Sequence, residues 1–211
     1  MKKFVMTIAV VAALGVGAMA QQDQKPRPLS PRGSAEAHVG MDISKTGTRT
    51  AIKGGNWIEI SYGRPLKRGR PIWGGDTFGK DLYATAPVWR AGSDVATLLK
   101  TEMPLTIGGK TLPAGGQYTM FIEFKSATEW TLIISSYGAK TSGKDATPDT
   151  LWGSYGYTPD KDMARVPMTV SKLPFQLEQL TWAFTDMTET GGKITLLWDD
   201  VAASVPFTVG K

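Results

Sequence analysis

From His38 onward, apolar residues recur every second position rather than every third or fourth. Tyr118, Met120, Ile122 and Phe124 share one side of a strand, with Thr119 and Glu123 on the other. Trp130, Leu132 and Ile134 repeat the pattern, as do Leu180, Trp182 and Phe184, then Ile194, Leu196 and Trp198, then Val201 through Val209. A period of two is the signature of strands with one buried face. Turn residues punctuate the runs. Gly54-Gly55, Gly108-Gly109 and Gly191-Gly192 predict hairpin reversals, because glycine reaches positive φ without steric cost. Asp199-Asp200 predicts another tight reversal, and Pro167 inside an alternating run predicts an edge strand. No amphipathic helix stands out. The expectation is an all-β fold, an antiparallel β-sandwich or open barrel of roughly nine to eleven short strands. Trp57, Trp130, Trp182 and Trp198 lie in alternating runs and are assigned to its core.

The N-terminus follows a different logic. Lys2 and Lys3 precede an apolar stretch from Phe4 to about Gly17, and Ala18-Met19-Ala20 follows. That pattern predicts a signal peptide over residues 1–20, cleaved before Gln21, with no membrane span left in the mature chain. The location expected is periplasmic or secreted. Residues 21–33 begin Gln-Gln-Asp-Gln-Lys-Pro-Arg-Pro and predict a flexible leader. A single β domain is expected over residues 34–211.

Charge and composition narrow the chemistry. The whole chain carries a net charge of +5, and loss of Lys2 and Lys3 leaves 22 basic and 19 acidic side chains, a net of +3. So small a surplus does not point to nucleic acid as a partner. The chain has no cysteine and one histidine, His38. Disulfides, thiol nucleophiles and sulfur-ligated metals are therefore excluded, and no cofactor or metal is expected. No Gly-x-Ser-x-Gly elbow is present for a serine hydrolase. Gly74 to Lys80 and Gly138 to Lys144 both read G-x-x-x-x-G-K, but aspartate (Asp81, Asp145) follows where a phosphate loop has serine or threonine. No catalytic residue is assigned.

One stretch concentrates positive charge. Arg64, Lys67, Arg68 and Arg70 fall within seven residues between two prolines, and Trp73 follows. After a long loop come Trp89, Arg90 and Asp94. Arginine offers a planar fork suited to carboxylate, phosphate or sulfate, and its face stacks on indole. Two readings are open. In the first, Arg64, Arg70 and Arg90 form a site for a small anion or acidic sugar, walled by Trp73 and Trp89. In the second, the arginines form a salt-bridge network in which Asp94 and neighbouring acids clamp the loop. Lys67 and Arg68 are expected at a solvated turn tip. Trp152-Gly153-Ser154-Tyr155 is a further candidate platform for a sugar or peptide, or a loop pinned by its aromatics.

These segments are also familiar as a set. Tyr62-Gly63-Arg64-Pro65, Gly69-Arg70-Pro71-Ile72, Val88-Trp89-Arg90-Ala91-Gly92, Ile107-Gly108-Gly109-Lys110, Leu112-Pro113-Ala114-Gly115 and Trp152-Gly153-Ser154-Tyr155 resemble a family of exported bacterial proteins, domain of unknown function 2911. The resemblance spans roughly residues 30 to 209. It implies an exported, mostly β domain and no particular activity. The chain departs from the family pattern at Gly63, where serine is usual, and at Asp94-Val95, where Asn-Glu is common. The leading expectation is a non-catalytic domain that binds a ligand or an envelope partner. A glycan hydrolase using two carboxylates and a structural or assembly protein of the envelope are the alternatives.

Overall fold

The computed structural model describes residues 28, 30–73, 80–83 and 85–210. The expected signal peptide, most of the leader and all but the end of the Gly74–Lys80 stretch lie outside the described residues. Twelve strands are found among the described residues, together with two short 3-10 turns. In chain order they are β1 (Arg32–Thr46), β2 (Arg49–Gly63), β3 (Thr97–Thr101), β4 (Leu105–Ile107), β5 (Lys110–Leu112) and β6 (Gly116–Phe124). Then follow β7 (Trp130–Ser135), β8 (Gly138–Ala139), β9 (Thr150–Leu151), β10 (Asp162–Pro167), β11 (Thr169–Thr188) and β12 (Gly191–Val209).

One antiparallel sheet runs β1-β2-β3-β6-β7-β10 and a second runs β11-β12-β4-β5, while β8 and β9 form a small parallel pair. The two larger sheets make a sandwich. Between them lie Ile58, Ile60, Leu99, Met120, Ile122 and Leu132 from the first sheet, and Leu105, Ile107, Leu180, Trp182, Leu196 and Trp198 from the second. Tyr62 ties the layers, since its hydroxyl accepts the Trp182 backbone N–H at 3.0 Å. The expected edge strand at Pro167 is found, as β10 closes one side of the six-stranded sheet. Proline is tolerated there because no neighbour asks for its missing N–H. Gly108 and Gly109 form the β4–β5 turn with φ of 56° and 76°, the mirror-image geometry that a two-residue hairpin requires.

Several expectations about boundaries need correction. β1 begins at Arg32, two residues inside the span expected to be leader, because Arg32 and Gly33 already pair with Gly63 and Tyr62. Four strands run 15 to 20 residues, longer than expected. The length arises where sequence breaks are absorbed within a strand. Gly54-Gly55 sits inside β2 rather than at a turn, and the β1–β2 reversal lies at Gly47-Thr48. Gly191-Gly192 opens β12 after the turn. Asp199-Asp200 does not reverse the chain: β12 continues through Asp199, which takes φ 54° as part of a bulge opposite β11.

One burial assignment also differs, that of Trp57. Trp57 is 49% exposed and stacks on His38 at 4.8 Å between ring centroids. It alternates with Glu59 and Ser61, and therefore faces away from the core that holds Ile58 and Ile60. Phe121 and Ile133 point away from that core too, yet they are buried. The segment after β7 folds back over them, forming a second apolar cluster with Val88, Tyr137, Leu151 and Tyr157.

The β1–β2 ribbon extends past the sandwich. Gly40 and Gly55 take φ of 67° and 93°, and every residue from 42 to 54 is exposed. Ile58 and Ile52 thus share one face of one strand, but only Ile58 is buried. Ile58→Ala is expected to destabilise by about 2–5 kcal/mol through cavity formation, and Ile52→Ala to stay within about 0.5 kcal/mol. Urea unfolding midpoints at constant m-value measure the contrast.

Candidate functional site

The basic stretch leaves β2 at Gly63 and turns back at Lys67–Arg70, where the Arg70 backbone N–H donates to the Lys67 carbonyl at 3.1 Å. Its neighbour is β11, where Leu180 N donates to the Pro65 carbonyl and Lys67 N to the Glu178 carbonyl. Across from it lies the loop before β3, in which Ala91 and Asp94 hold positive φ of 54° and 61°. Between the two lies a cavity of about 290 Å³, lined by Arg70, Trp89, Arg90, Ser93, Asp94 and Leu82 among others.

Arg70 and Arg90 both reach this cavity, and backbone carbonyls fix each of them. Arg70 donates through Nε to the Lys67 carbonyl at 3.0 Å and through Nη2 to the Leu66 carbonyl at 2.6 Å. Arg90 donates through Nη1 to the Asp94 carbonyl at 2.8 Å, and its guanidinium lies 5.6 Å from the Tyr155 ring centroid. A cation over an aromatic face is held electrostatically without a counter-charge. The Trp152-Gly153-Ser154-Tyr155 segment therefore acts on Arg90. Tyr155 supplies the ring, and Gly153 supplies room, because a Cβ there would sit 2.8 Å from Arg90 Nη1. Trp152 is half-buried in the same segment.

The salt-bridge reading finds no ion pair at these arginines among the described residues, which leave out 74–79 and 84 of the long loop. Among the described residues, ion pairs involve Lys67, Lys100, Lys161, Arg165, Lys172 and Lys193, and none involves Arg64, Arg70 or Arg90. Asp94 contributes its backbone carbonyl to Arg90, and its exposed side chain lines the cavity. Arg64 does not join the other two arginines. Its aliphatic stem lies against Gly33, its backbone N–H donates to the Pro31 carbonyl, and its Nε is buried with no hydrogen-bond partner. The Ser93 hydroxyl is also buried and unpartnered. Both orphans flank the contact between Gly63 and Ser93.

Trp73 and Trp89 are both buried in the core, and Trp89 also lines the Arg70–Arg90 cavity, whose described lining does not include Trp73. They are 8% and 1% exposed, and their Nε1 atoms donate to the carbonyls of Trp198 at 3.1 Å and Gly92 at 3.2 Å. Trp73 packs against Trp130, Trp198, Trp89 and Phe124. Lys67 is not solvated either. It reaches Asp199, 132 residues along the chain, at 2.5 Å, with the two side chains 15% and 10% exposed. Sequence spacing alone carries no signal for that pair.

Residues 44–207 match the model of a protein family of unknown function, DUF2911. The chain belongs to that family. No curated protein and no solved structure matches it. The DUF2911 segments that appear scattered along the sequence now have a common place: the Gly63–Ile72, Val88–Gly92 and Trp152–Tyr155 stretches assemble around Arg90 and the turn beside it.

Glu59, Glu102 and Glu123, the strand carboxylates, have local partners. Glu59 faces Lys100, Glu102 accepts the Trp57 backbone N–H, and Glu123 holds Arg165, which also bonds Asp162 and the Tyr157 hydroxyl. Burial, and then the bond to Asp162, push the Tyr157 hydroxyl above its ordinary range. Among the described residues, no three His, Asp or Glu side chains gather in a way that could hold a metal ion.

Asp145, which replaces a phosphate-loop serine or threonine in sequence, organises its own loop. Its carboxylate accepts the backbone N–H and the hydroxyl of both Thr141 and Thr147 at 2.6–3.0 Å. These bonds hold its pKa well below the usual carboxylate range. A depressed carboxylate pKa adds order above its unfolded value, and the contribution is lost as pH falls through the folded value. The Thr141 and Thr147 amide resonances are therefore expected to pass unchanged through about pH 4, where free aspartate titrates, and to shift only under more acid conditions. Asp145→Asn removes that behaviour.

Gly63 explains its own departure from the family pattern. A Cβ there would lie 2.1 Å from the Ser93 carbonyl oxygen, so serine fits only if the 91–95 loop moves. Gly63→Ser is expected to destabilise by about 1–3 kcal/mol, read from the urea midpoint.

Proposed function

We propose that this chain is an exported, non-catalytic binding protein whose ligand is a small anion or an acidic sugar held between Arg70 and Arg90. One observation supports the reading above the others: two guanidinium groups line the same hollow, and neither is neutralised by a carboxylate among the described residues. Arg90 is anchored by one carbonyl and Arg70 by two, which leaves the other donors of each five-donor fork for a guest. Asp94 at the rim accepts hydroxyl donors, so a sugar acid suits the site better than a bare inorganic anion. The cavity's volume of about 290 Å³ is near the lower end of the roughly 300–1,000 Å³ typical of ligand pockets, enough for a monosaccharide. The export segment at residues 1–20 supports a periplasmic or secreted setting, and no helix among the described residues is long and apolar enough to cross a membrane.

Thermal melting with glucuronate, glucose and sulfate tests the proposal. At a concentration near 100 times Kd a ligand adds about 2.7 kcal/mol, a rise on the order of 5–10 °C for a chain of this size. Glucuronate is expected to produce such a shift, sulfate a smaller one and glucose none. Arg90→Ala removes the shift and Arg64→Ala preserves it. A shift unchanged in Arg90→Ala, or no shift with either anion, overturns the assignment.

A further inference from the structure

On the other side of the Lys67–Arg70 turn lies a second, larger cavity of about 640 Å³. Ile72, Trp73, Val170 and Val201 give it apolar walls, and Ala127 and Thr128 in the β6–β7 turn stand beside them. Its charged groups form two ion pairs, and Thr128 and Ser171 add hydroxyls to the lining. Lys67 binds Asp199 at 2.5 Å with both side chains largely dehydrated, and Lys172 binds Asp200 at 3.2 Å near the surface.

Consecutive residues in a regular strand point to opposite faces, yet Asp199 and Asp200 both line this hollow. The cause is the bulge. β11 and β12 pair at Leu177–Asp199 and next at Lys172–Val201, so five residues of one strand span two of the other. Bulges re-aim side chains in this way and are common beside functional sites. Holding the dehydrated Lys67–Asp199 pair against an apolar wall is costly, and apolar replacements for such buried pairs are often as stable or more so. Fold stability alone therefore does not explain why the charges sit here.

Their arrangement points to the guest. The four charges sum to zero, so a singly charged ligand that pairs with one group leaves that group's former partner without a counter-charge. A zwitterion can bring its ammonium to a carboxylate and its carboxylate to a lysine, leaving no charge unpaired. We infer that the Lys67–Asp199 and Lys172–Asp200 cavity binds a small zwitterion with an apolar or aromatic body, of the free amino-acid class. The Trp73 indole and the aliphatic walls take the body, and the two ion pairs take the head. This site is separate from the Arg70–Arg90 hollow, where two cations and one acid leave a net positive charge.

Titration of the full chain with L-phenylalanine, phenethylamine and 3-phenylpropanoate, followed by calorimetry and tryptophan fluorescence, tests the inference. These probes share a ring and differ only in which charges they carry. Phenylalanine is expected to bind saturably, and each singly charged probe at least about tenfold more weakly. Lys172→Ala, at a side chain 84% exposed, is expected to abolish the preference over phenethylamine. Asp200→Asn does the same for 3-phenylpropanoate. Thr128→Trp, on the exposed turn at the cavity, blocks binding, and Arg90→Ala leaves it intact. Equal binding of all three probes, tighter binding of a singly charged one, no binding of any, or loss of phenylalanine binding in Arg90→Ala each overturns the inference. Because Arg90→Ala separates the two cavities, failure here is distinguishable from failure of the anion site.

Discussion

Of the five buried indoles among the described residues, Trp73, Trp89, Trp182 and Trp198 each donate an N–H to a main-chain carbonyl, in a molecule whose carbonyls are mostly committed to strand ladders. A buried donor left unpaired costs about 1–3 kcal/mol, so this demand shapes the chain. The acceptors used are the carbonyls of Trp198, Gly92, Ala91 and Glu178, which lie on the loop before β3 or where the β11–β12 ladder is interrupted. The irregular backbone and the tryptophans thus require one another. A regular ladder would leave the indoles unsatisfied, and smaller core residues would leave the irregularities without support.

Both cavities descend from that arrangement. The positive φ at Ala91 and Asp94 turns the loop so that Ala91 and Gly92 offer their carbonyls inward, which also aims Arg90 across at Arg70. The bulge at Asp199, next to the carbonyl that Trp73 uses, presents Asp199 and Asp200 to Lys67 and Lys172. The turn from Leu66 to Arg70 stands between the two hollows and contributes a cation to each. Charge balance then separates them: one hollow keeps a positive surplus and the other is neutral but strongly dipolar.

Fold class, the Gly108-Gly109 turn and the Pro167 edge were legible in the sequence because each rests on local chemistry: side-chain alternation, access to positive φ and a missing N–H. What the sequence does not announce is phase and distance. Trp57 alternates with Glu59 and Ser61, which already places it on the polar face, but its apolar bulk argues the other way. Trp73 and Trp89 sit among glycines, prolines and arginines, so nothing nearby in sequence reports that Phe124, Trp130 and Trp198 gather around them. The Asp199-Asp200 pair reads as a turn because bulge and reversal share the same residue preferences. Arg70 and Arg90 were recognisable as a charged set, whereas the exclusion of Arg64 from it depends on packing against Gly33, 31 positions away.

The ribbon formed by the outer halves of β1 and β2 is held chiefly by its own two strands, with residues 42–54 exposed and the sandwich core ending at Val39 and Ile58. Few buried apolar contacts tie its outer half to the layers below, the condition under which a segment opens locally before the rest of a fold. Heat or denaturant would release it first, with little change in the signal from the buried indoles, and a bulk unfolding curve read through tryptophan describes the body of the molecule alone.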